Sequence, residues 1–189
     1  FGAEAVPQPT DPKDHAFMDW GFSLNRFEGF NNEPDMETPY AFIYAGRHDL
    51  TCDVLRSGMT QQFFAGRGGL PGNNDSGGLS ATYVWNAVGL FPVSGKPYML
   101  IGSPMFEESR LRLPNGDLSV IADGVSERNH YVGEAWLNGE SIDRAWLSMR
   151  EFLAGGELRL KMVPENQGWA RGTRPPSFAA LSQLEKGYF

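Results

Sequence analysis

The sequence has little of what covalent or metal crosslinks require. Its 189 residues include one cysteine, Cys52, and three histidines that lie far apart, His15, His48 and His130. A single thiol excludes a disulfide framework and a cysteine-based metal cluster, and scattered histidines argue against a zinc site built from imidazoles. A metal bound by this chain would instead use oxygen ligands.

Basic clusters and long apolar runs are also missing. The formal net charge is −7 with a pI of about 5.0. We therefore expect neither nucleic acid nor an anionic membrane as a partner. No apolar stretch approaches the roughly 18 to 20 residues that a transmembrane helix needs, so we expect no membrane segment.

The first residues, FGAEAVPQPTDPKDHAF, carry neither an initiator methionine nor the charged-then-apolar pattern of a signal peptide. They are typical of the interior of a longer chain, and we expect a C-terminal part of a larger polypeptide. What is present suits a packed core, because 41% of the residues are hydrophobic and 13% are aromatic.

Helical periodicity predominates before residues 93–97 and predicts three short helices. The first has Thr38 as its N-cap and ends at Gly46, and the second starts after Asp49 as its N-cap and extends through Phe63 and Phe64. The third ends at Gly89, and its predicted inward residues are Leu79, Tyr83, Val84, Ala87 and Val88.

Short β-type runs replace the helical pattern after Pro97. Strands are predicted at residues 98–101, 110–114, 118–121, 131–137 and 158–162, with Asn-Gly turns at 115–116 and 138–139. The fold class is therefore α+β. We expect helices and site loops over residues 1–95, a small antiparallel β-module over 96–165, and an irregular tail over 166–189.

Two polar loops punctuated by glycine and proline precede predicted helices, at residues 28–35 and 72–78. Their carboxylate and amide oxygens suit Ca²⁺. The same residue types also serve as helix caps and turn formers, so capping is the alternative explanation. Aromatic side chains such as Trp20 and Trp85 flank the loops and can stack on sugar rings or join the core, whereas Cys52 is predicted to be a small buried group.

Three ordered motifs carry a family resemblance: EGFNNEPDMETPYAF, GLPGNNDSGGLSATYVWNAVGLFPV and YMLIGSPMF. Over roughly residues 26–106 they resemble the C-terminal part of the glycoside hydrolase family 92 α-mannosidases, with weaker similarity at WLNGE and GGELRLKM.

The resemblance implies a Ca²⁺-dependent, inverting exo-α-mannosidase that acts on α-1,2 and related linkages of N-glycans and mannans. It also implies an (α/α)6 catalytic barrel, of which residues 1–95 would supply the last helices, packed with an N-terminal β-sandwich. The partners would be a mannose-containing glycan and the remainder of the polypeptide. The location would be secreted, periplasmic or cell-surface.

The resemblance also assigns site residues. Asp75 matches the general base, and Asn73 stands where many members have an acidic residue. Asn32 and Glu33 match the calcium and substrate site, and Trp20 is a candidate for substrate stacking. The general acid is expected upstream of Phe1, so the 189 residues alone should be inactive. Ser76 is expected to cap the following helix while Asp75 faces water.

Two other functions are weighed against this one. A non-catalytic carbohydrate-binding or structural module would favour a row of exposed aromatic residues on the strands, where the candidates are Tyr98, Tyr131, Trp136 and Trp146. Their spacing does not predict one row. A helical-barrel phosphorylase would need a basic phosphate cradle, for which only Arg47 and Arg67 are near.

Overall fold

The computed structural model describes residue 30 and residues 32–72 and 74–176. The helices in these ranges are α1 (Glu33–Glu37), α2 (Ala41–Tyr44), α3 (His48–Gln62), α4 (Gly78–Val88) and α5 (Met149–Ala154). Short 3₁₀ turns, Thr38–Tyr40 and Asp75–Gly77, precede α2 and α4. The strands are β1 (Leu90–Pro92), β2 (Tyr98–Ile101), β3 (Glu108–Leu111), β4 (Leu118–Asp123), β5 (Tyr131–Leu137), β6 (Glu140–Ile142), β7 (Trp146–Ser148) and β8 (Gly156–Val163).

The first helical segment begins earlier than predicted. Asn32 is the N-cap of α1 with an extended backbone, and Pro34 lies in the first turn. The predicted N-cap, Thr38, lies inside the segment, where its Oγ1 donates to the Pro34 carbonyl at 2.8 Å. The prediction for Thr38 is therefore wrong, because the earlier Asn-Glu-Pro sequence already starts the helix.

The limits of α3 also differ from the prediction. Arg47 is its N-cap position, and Asp49 lies in the first turn. Because Asp49 is already inside the helix it is not the N-cap, and its carboxylate accepts from the Arg47 guanidinium at 2.7 Å. The helix ends at Gln62 because the backbone of Phe63 is extended, which places Phe63 and Phe64 in the following loop.

Helix α4 buries three of the five residues predicted to face inward, Leu79, Ala87 and Val88. Tyr83 and Val84 are instead 36% and 56% exposed, and the polar residues Thr82 and Asn86 are buried. The buried set follows helical spacing, and Asn86 Oδ1 accepts from the Tyr40 hydroxyl at 2.7 Å. Burial of this polar pair accompanies the exposure of Tyr83 and Val84, which apolarity alone predicted to face inward. The predicted end at Gly89 is confirmed, with a left-handed backbone at that glycine.

The strands form two sheets rather than one antiparallel module. A three-stranded antiparallel sheet has the order β1-β2-β7, and a five-stranded sheet has the order β3-β4-β8-β5-β6. Strand β8 runs parallel to β4 and antiparallel to β5, so the larger sheet is mixed and the antiparallel prediction is wrong. Local sequence patterns do not encode strand direction, and the prediction also missed β1, β6, β7 and α5.

Only one of the two predicted Asn-Gly turns, the one at 138–139, is a tight hairpin. Leu137 pairs with Glu140, and Asn138 and Gly139 both have positive φ, as a tight two-residue hairpin requires. By contrast, Leu111 pairs with Leu118, so the Asn-Gly at 115–116 lies within a six-residue connection spanning 112–117.

Helices and strands share one core. Fully buried side chains come from both parts, among them Tyr40, Leu55, Leu79, Leu90, Leu100, Leu118, Leu147 and Leu158. Strand β2 is buried along its whole length. No helix within the described ranges has the length and apolarity needed to cross a membrane. The α+β class is confirmed, and the division into 1–95, 96–165 and 166–189 stays a prediction.

Candidate active site

The first candidate loop leads directly into α1. Asn32 and Glu33 are exposed, and the Asn32 side chain makes no capping hydrogen bond. The turn is closed by the main chain, since the Asp35 N–H donates to the Asn32 carbonyl at 3.1 Å. Both side chains thus present oxygen atoms at the surface. The third residue predicted to contact substrate, Trp20, lies outside the described residues.

The second candidate loop places Asp75 at the start of a 3₁₀ turn, with its side chain exposed. Ser76 has φ of 53° and ψ of 22°, a left-handed backbone that turns the chain sharply before α4. Such conformations at non-glycine residues cluster at functional sites. Asn73, predicted beside the base, lies outside the described residues.

The side chain that bonds to the first turn of α4 is that of Asn74 rather than that of Ser76. Asn74 Oδ1 accepts from the Ser80 N–H at 3.0 Å and from the Ser80 hydroxyl at 3.3 Å. The N-cap position itself is Gly77, which has no side chain and a left-handed backbone, so the predicted capping role of Ser76 is wrong. Asn74 also closes the turn around Asp75 through its main chain, because its carbonyl accepts from the Gly77 N–H at 3.0 Å.

The structure brings the two loops together. A Cβ built on Gly78, the first residue of α4, would lie 3.1 Å from the terminal carbon of Met36 in α1. Glu33 stands one helical turn before Met36, and Asp75 stands three residues before Gly78. Two stretches more than forty residues apart in sequence therefore adjoin through the contact of α1 with α4.

Main-chain anchoring of the first loop was not foreseen from the sequence. The Phe30 N–H donates to Gln62 Oε1 at 2.7 Å, and both residues are fully buried. The sequence hint of this contact was Gln62, a polar residue at the end of an apolar helix face. It does not identify the partner, because Phe30 lies 32 positions away.

The loops offer oxygen ligands but no complete metal centre. No group of three or more His, Cys, Asp or Glu side chains lies close enough to hold a metal within residues 32–72 and 74–176. The carboxylate of Glu33 and the amide of Asn32 are of the type that Ca²⁺ prefers. Because Ca²⁺ takes about 6 to 8 oxygen ligands, these two would have to be completed by main-chain carbonyls, water, substrate or other parts of the protein.

The buried thiol is not a nucleophile. Cys52 is fully buried on α3, and burial raises the pKa of its thiol far above the usual range. The prediction of a small buried group is confirmed. Trp85, the other aromatic residue near the loops, is partly buried and packs with its ring centroid 6.4 Å from that of Phe152.

The two polar loops precede helices that contact each other in a mixed α+β unit, and comparison with known proteins gives the class of this chain. A solved GH92 α-mannosidase from Bacteroides thetaiotaomicron in complex with mannoimidazole matches with a TM-score of 0.75 and 26% identity. The match covers 84% of this chain and 23% of that one. A GH92 inverting mannosidase from B. thetaiotaomicron VPI-5482 matches with a TM-score of 0.72 and 34% identity, covering 78% of this chain and 21% of that one.

The glycosyl hydrolase family 92 catalytic domain matches residues 15–164. The chain belongs to this family, as the three motifs predict. A relative from Arthroderma benhamiae, an uncharacterized secreted glycosidase, is 32% identical over 155 residues, which is 79% of this chain. The chain spans about a fifth of the length of that relative, because the match covers 20% of it.

Proposed function

We propose that this chain is the C-terminal part of an inverting, Ca²⁺-dependent exo-α-mannosidase that acts on α-1,2-linked or related mannosides of N-glycans and mannans. Family membership and the likeness to two solved mannosidases, one of them an inverting mannosidase, support the proposal. The observation that supports it is the contact of Met36 in α1 with Gly78 in α4, because it joins the helix that begins at Glu33 to the helix that follows the Asp75 turn.

Asp75 is the proposed general base. An inverting glycosidase needs a carboxylate that takes a proton from water as the water oxygen attacks the anomeric carbon. A carboxylic acid about 6.5 to 9.5 Å away protonates the departing glycosidic oxygen, and the rest of the polypeptide would supply it. Asp75 suits the first role because its carboxylate is exposed on a turn that Asn74 fixes. Asn73 would help orient the attacking water.

Asn32 and Glu33 are the proposed calcium and substrate ligands. When bound, the cation supplies positive charge and a template for the sugar hydroxyls. Asn32 is available for this role since its side chain does not cap α1, and the exposed Glu33 carboxylate adds the negative charge that a hard cation favours. Trp20 would stack against a sugar ring.

The helices are the proposed end of an (α/α)6 barrel whose other helices belong to the remainder of the polypeptide. The exposure of Tyr83 and Val84 on α4 supports this, because apolar side chains on an outward helix face favour burial against further helices. A secreted, periplasmic or cell-surface location is proposed from the relative described as secreted.

The test replaces Asp75 by asparagine in the longer natural protein and follows hydrolysis of an aryl α-mannoside by proton NMR. We expect kcat to fall about 100- to 10,000-fold, the usual contribution of general base catalysis, and the parent protein to release β-mannose first. Asp117→Asn is the matched control, since Asp117 is an exposed acid in the β3–β4 connection. Retained activity in Asp75→Asn would remove the assignment.

The non-catalytic alternative has less support. Within the described strands Tyr98 is buried, and Tyr131, Trp136 and Trp146 are partly buried. These side chains do not offer an exposed platform for a glycan. Glycan binding without hydrolysis by the longer parent protein would favour this alternative.

A further inference from the structure

The loop that bears Asn32 and Glu33 is attached to α3 by the residue two positions before Asn32. The Phe30 ring is fully buried, 6.0 Å from the Phe63 ring between centroids. A Cβ on Gly58 would lie 2.0 Å from Cε2 of this ring. Helix α3 thus presents a glycine where Phe30 packs, and any side chain at that position would displace the ring.

The main chain of Phe30 is held as well as its ring. Its N–H donates to Gln62 Oε1 at 2.7 Å, and Gln62 is fully buried. The other end of the same amide, Nε2, is buried without a hydrogen-bond partner in the part of the chain that the structure describes. A buried, unsatisfied donor is unfavourable, and an apolar side chain of equal size would avoid it. The hydrogen bond to Phe30 accounts for an amide at this position.

The anchor limits where the loop residues can lie. Two residues of extended chain reach about 7 Å, so fixing Phe30 confines Asn32 to a small volume. On the other side of Glu33, Met36 rests against Gly78. Phe30 and Met36 are therefore held on either side of Asn32 and Glu33, whose exposed oxygen atoms lie between the two attachments.

We propose that Gln62 is a positioning residue of the candidate site, which holds the Phe30 main chain and thereby aligns Asn32 and Glu33 for cation and substrate. The inference rests on the proposed function. A side chain that only filled core space would be replaced best by an apolar residue, whereas a positioning acceptor is replaced best by one that keeps the oxygen. The two roles therefore predict opposite answers to which of two variants, one apolar and one bearing an oxygen, keeps the better function.

The experiment compares Gln62→Met and Gln62→Glu in the longer natural protein. Met matches the size and loses the acceptor, and Glu keeps an acceptor oxygen. We expect Gln62→Met to melt at the same temperature as Gln62→Glu or higher, yet to need about tenfold to a hundredfold more substrate or Ca²⁺ for half-maximal activity. For Gln62→Glu, the substrate and Ca²⁺ concentrations that give half-maximal activity should each stay within about threefold of those of the parent protein.

Amide hydrogen exchange without Ca²⁺ gives a readout that does not depend on activity. The Phe30 amide should exchange at least about tenfold faster in Gln62→Met than in the parent, while strands β4 and β8 keep their protection. Gln61→Met is the matched control, because Gln61 is adjacent on α3 and its Oε1 has no partner within the described residues. It should change neither readout. If Gln62→Met does not accumulate folded, Gln62→Asn, which is too short to reach Phe30, takes its place.

The measurements separate a failure of the positioning role from a failure of the proposed function. Unchanged Phe30 exchange in Gln62→Met, or better function in Gln62→Met than in Gln62→Glu, overturns the positioning role. If the longer parent protein shows no α-mannoside hydrolysis, the proposed function fails, and the exchange measurement still decides whether Gln62 holds the loop.

Discussion

At the residue scale, His48 is a neutral histidine built into the core. Its Nε2 lies 3.0 Å from the Ile101 carbonyl oxygen, which can only accept, so Nε2 carries the proton. Nδ1 is then an acceptor and faces the Cys52 sulfur at 3.6 Å. Burial lowers the pKa of His48 to about 4, well below that of an exposed histidine.

This shift makes stability depend on pH in a defined window. The unfolded chain takes up a proton at position 48 near pH 6.5 and the folded chain only near pH 4, so stability is complete above pH 6.5 and falls as the pH drops to about 4. Between pH 7 and pH 5 the loss attributable to His48 is about 2 kcal/mol. Urea unfolding of the longer protein at both pH values should show it, and His48→Gln should reduce the difference by that amount. An unchanged difference in the variant would contradict the assignment.

Residues whose role is set by their neighbours in sequence were predictable, and those whose role depends on a distant partner were not. Cys52 follows the apolar spacing of α3, and its burial is confirmed. The loop of Asp75 was identified, but the side chain that bonds to the first turn of α4 was expected to be that of Ser76 instead of Asn74, because the left-handed backbone at Ser76 is not visible in residue types. The role of Gln62 depends on Phe30, 32 residues away.

At the element scale, the junction between α5 and β8 decides the topology of the larger sheet. Ser148 and Glu151 form a reciprocal capping box that starts α5, and the helix ends at Gly155. Gly155 has φ of 74°, and a Cβ there would lie 2.7 Å from the Gly116 carbonyl oxygen and 2.8 Å from that of Asp117. Close approach of two chain segments therefore requires glycine at this position.

Gly155→Ala should destabilise the protein by roughly 2 to 5 kcal/mol, because it adds a steric clash to an unfavourable φ. Gly139→Ala separates the two effects, since Gly139 also has positive φ (84°) but a Cβ there meets nothing within 4 Å. That variant should lose only about 1 to 2 kcal/mol. Thermal melts of the two variants give the comparison, and equal losses would show that the clash is relieved without cost.

The elements themselves were more predictable than their pairing. Helix α4 and strands β2, β4, β5 and β8 lie close to where periodicity places them. Which strands pair depends on contacts between distant parts of the chain. Strand β8 pairs in parallel with β4 because α5 carries the chain back to the end of the sheet where β4 begins. The short strands β6 and β7, of three residues each, are too brief to show a period.

At the scale of the whole molecule, α3 connects the site loops to the sheets. Asp53 accepts from His130 Nε2 at 3.0 Å and from the Tyr131 hydroxyl at 2.5 Å. Arg56, one turn later, donates to the Pro104 carbonyl at 2.7 Å. The helix that anchors the first loop at its C-terminal end is thus bonded along its length to the β-strand region, and this gives the candidate site a rigid support.

The proposed calcium dependence is to be tested on the longer natural protein. EDTA should lower α-mannoside hydrolysis at least about tenfold, and Ca²⁺ should restore it better than Mg²⁺, which prefers a tighter octahedral site. Glu33→Gln should raise the Ca²⁺ concentration for half-maximal activity by about tenfold or more, because it removes ligand charge. Asp117→Asn, remote from both loops in sequence, serves as the control. Full activity in EDTA would exclude a required cation.

The central position of β8 also sets an order of events during protein synthesis. Strand β8 is last in the chain among the described strands, yet it lies between β4 and β5. Until residues 156–163 leave the ribosome, β4 and β5 each have an unpaired edge facing the gap, and such edges promote association between nascent chains. Closure of the larger sheet must therefore wait until β8 has been translated, and a pause or stop codon just before Gly156 would leave β4 and β5 without their common partner.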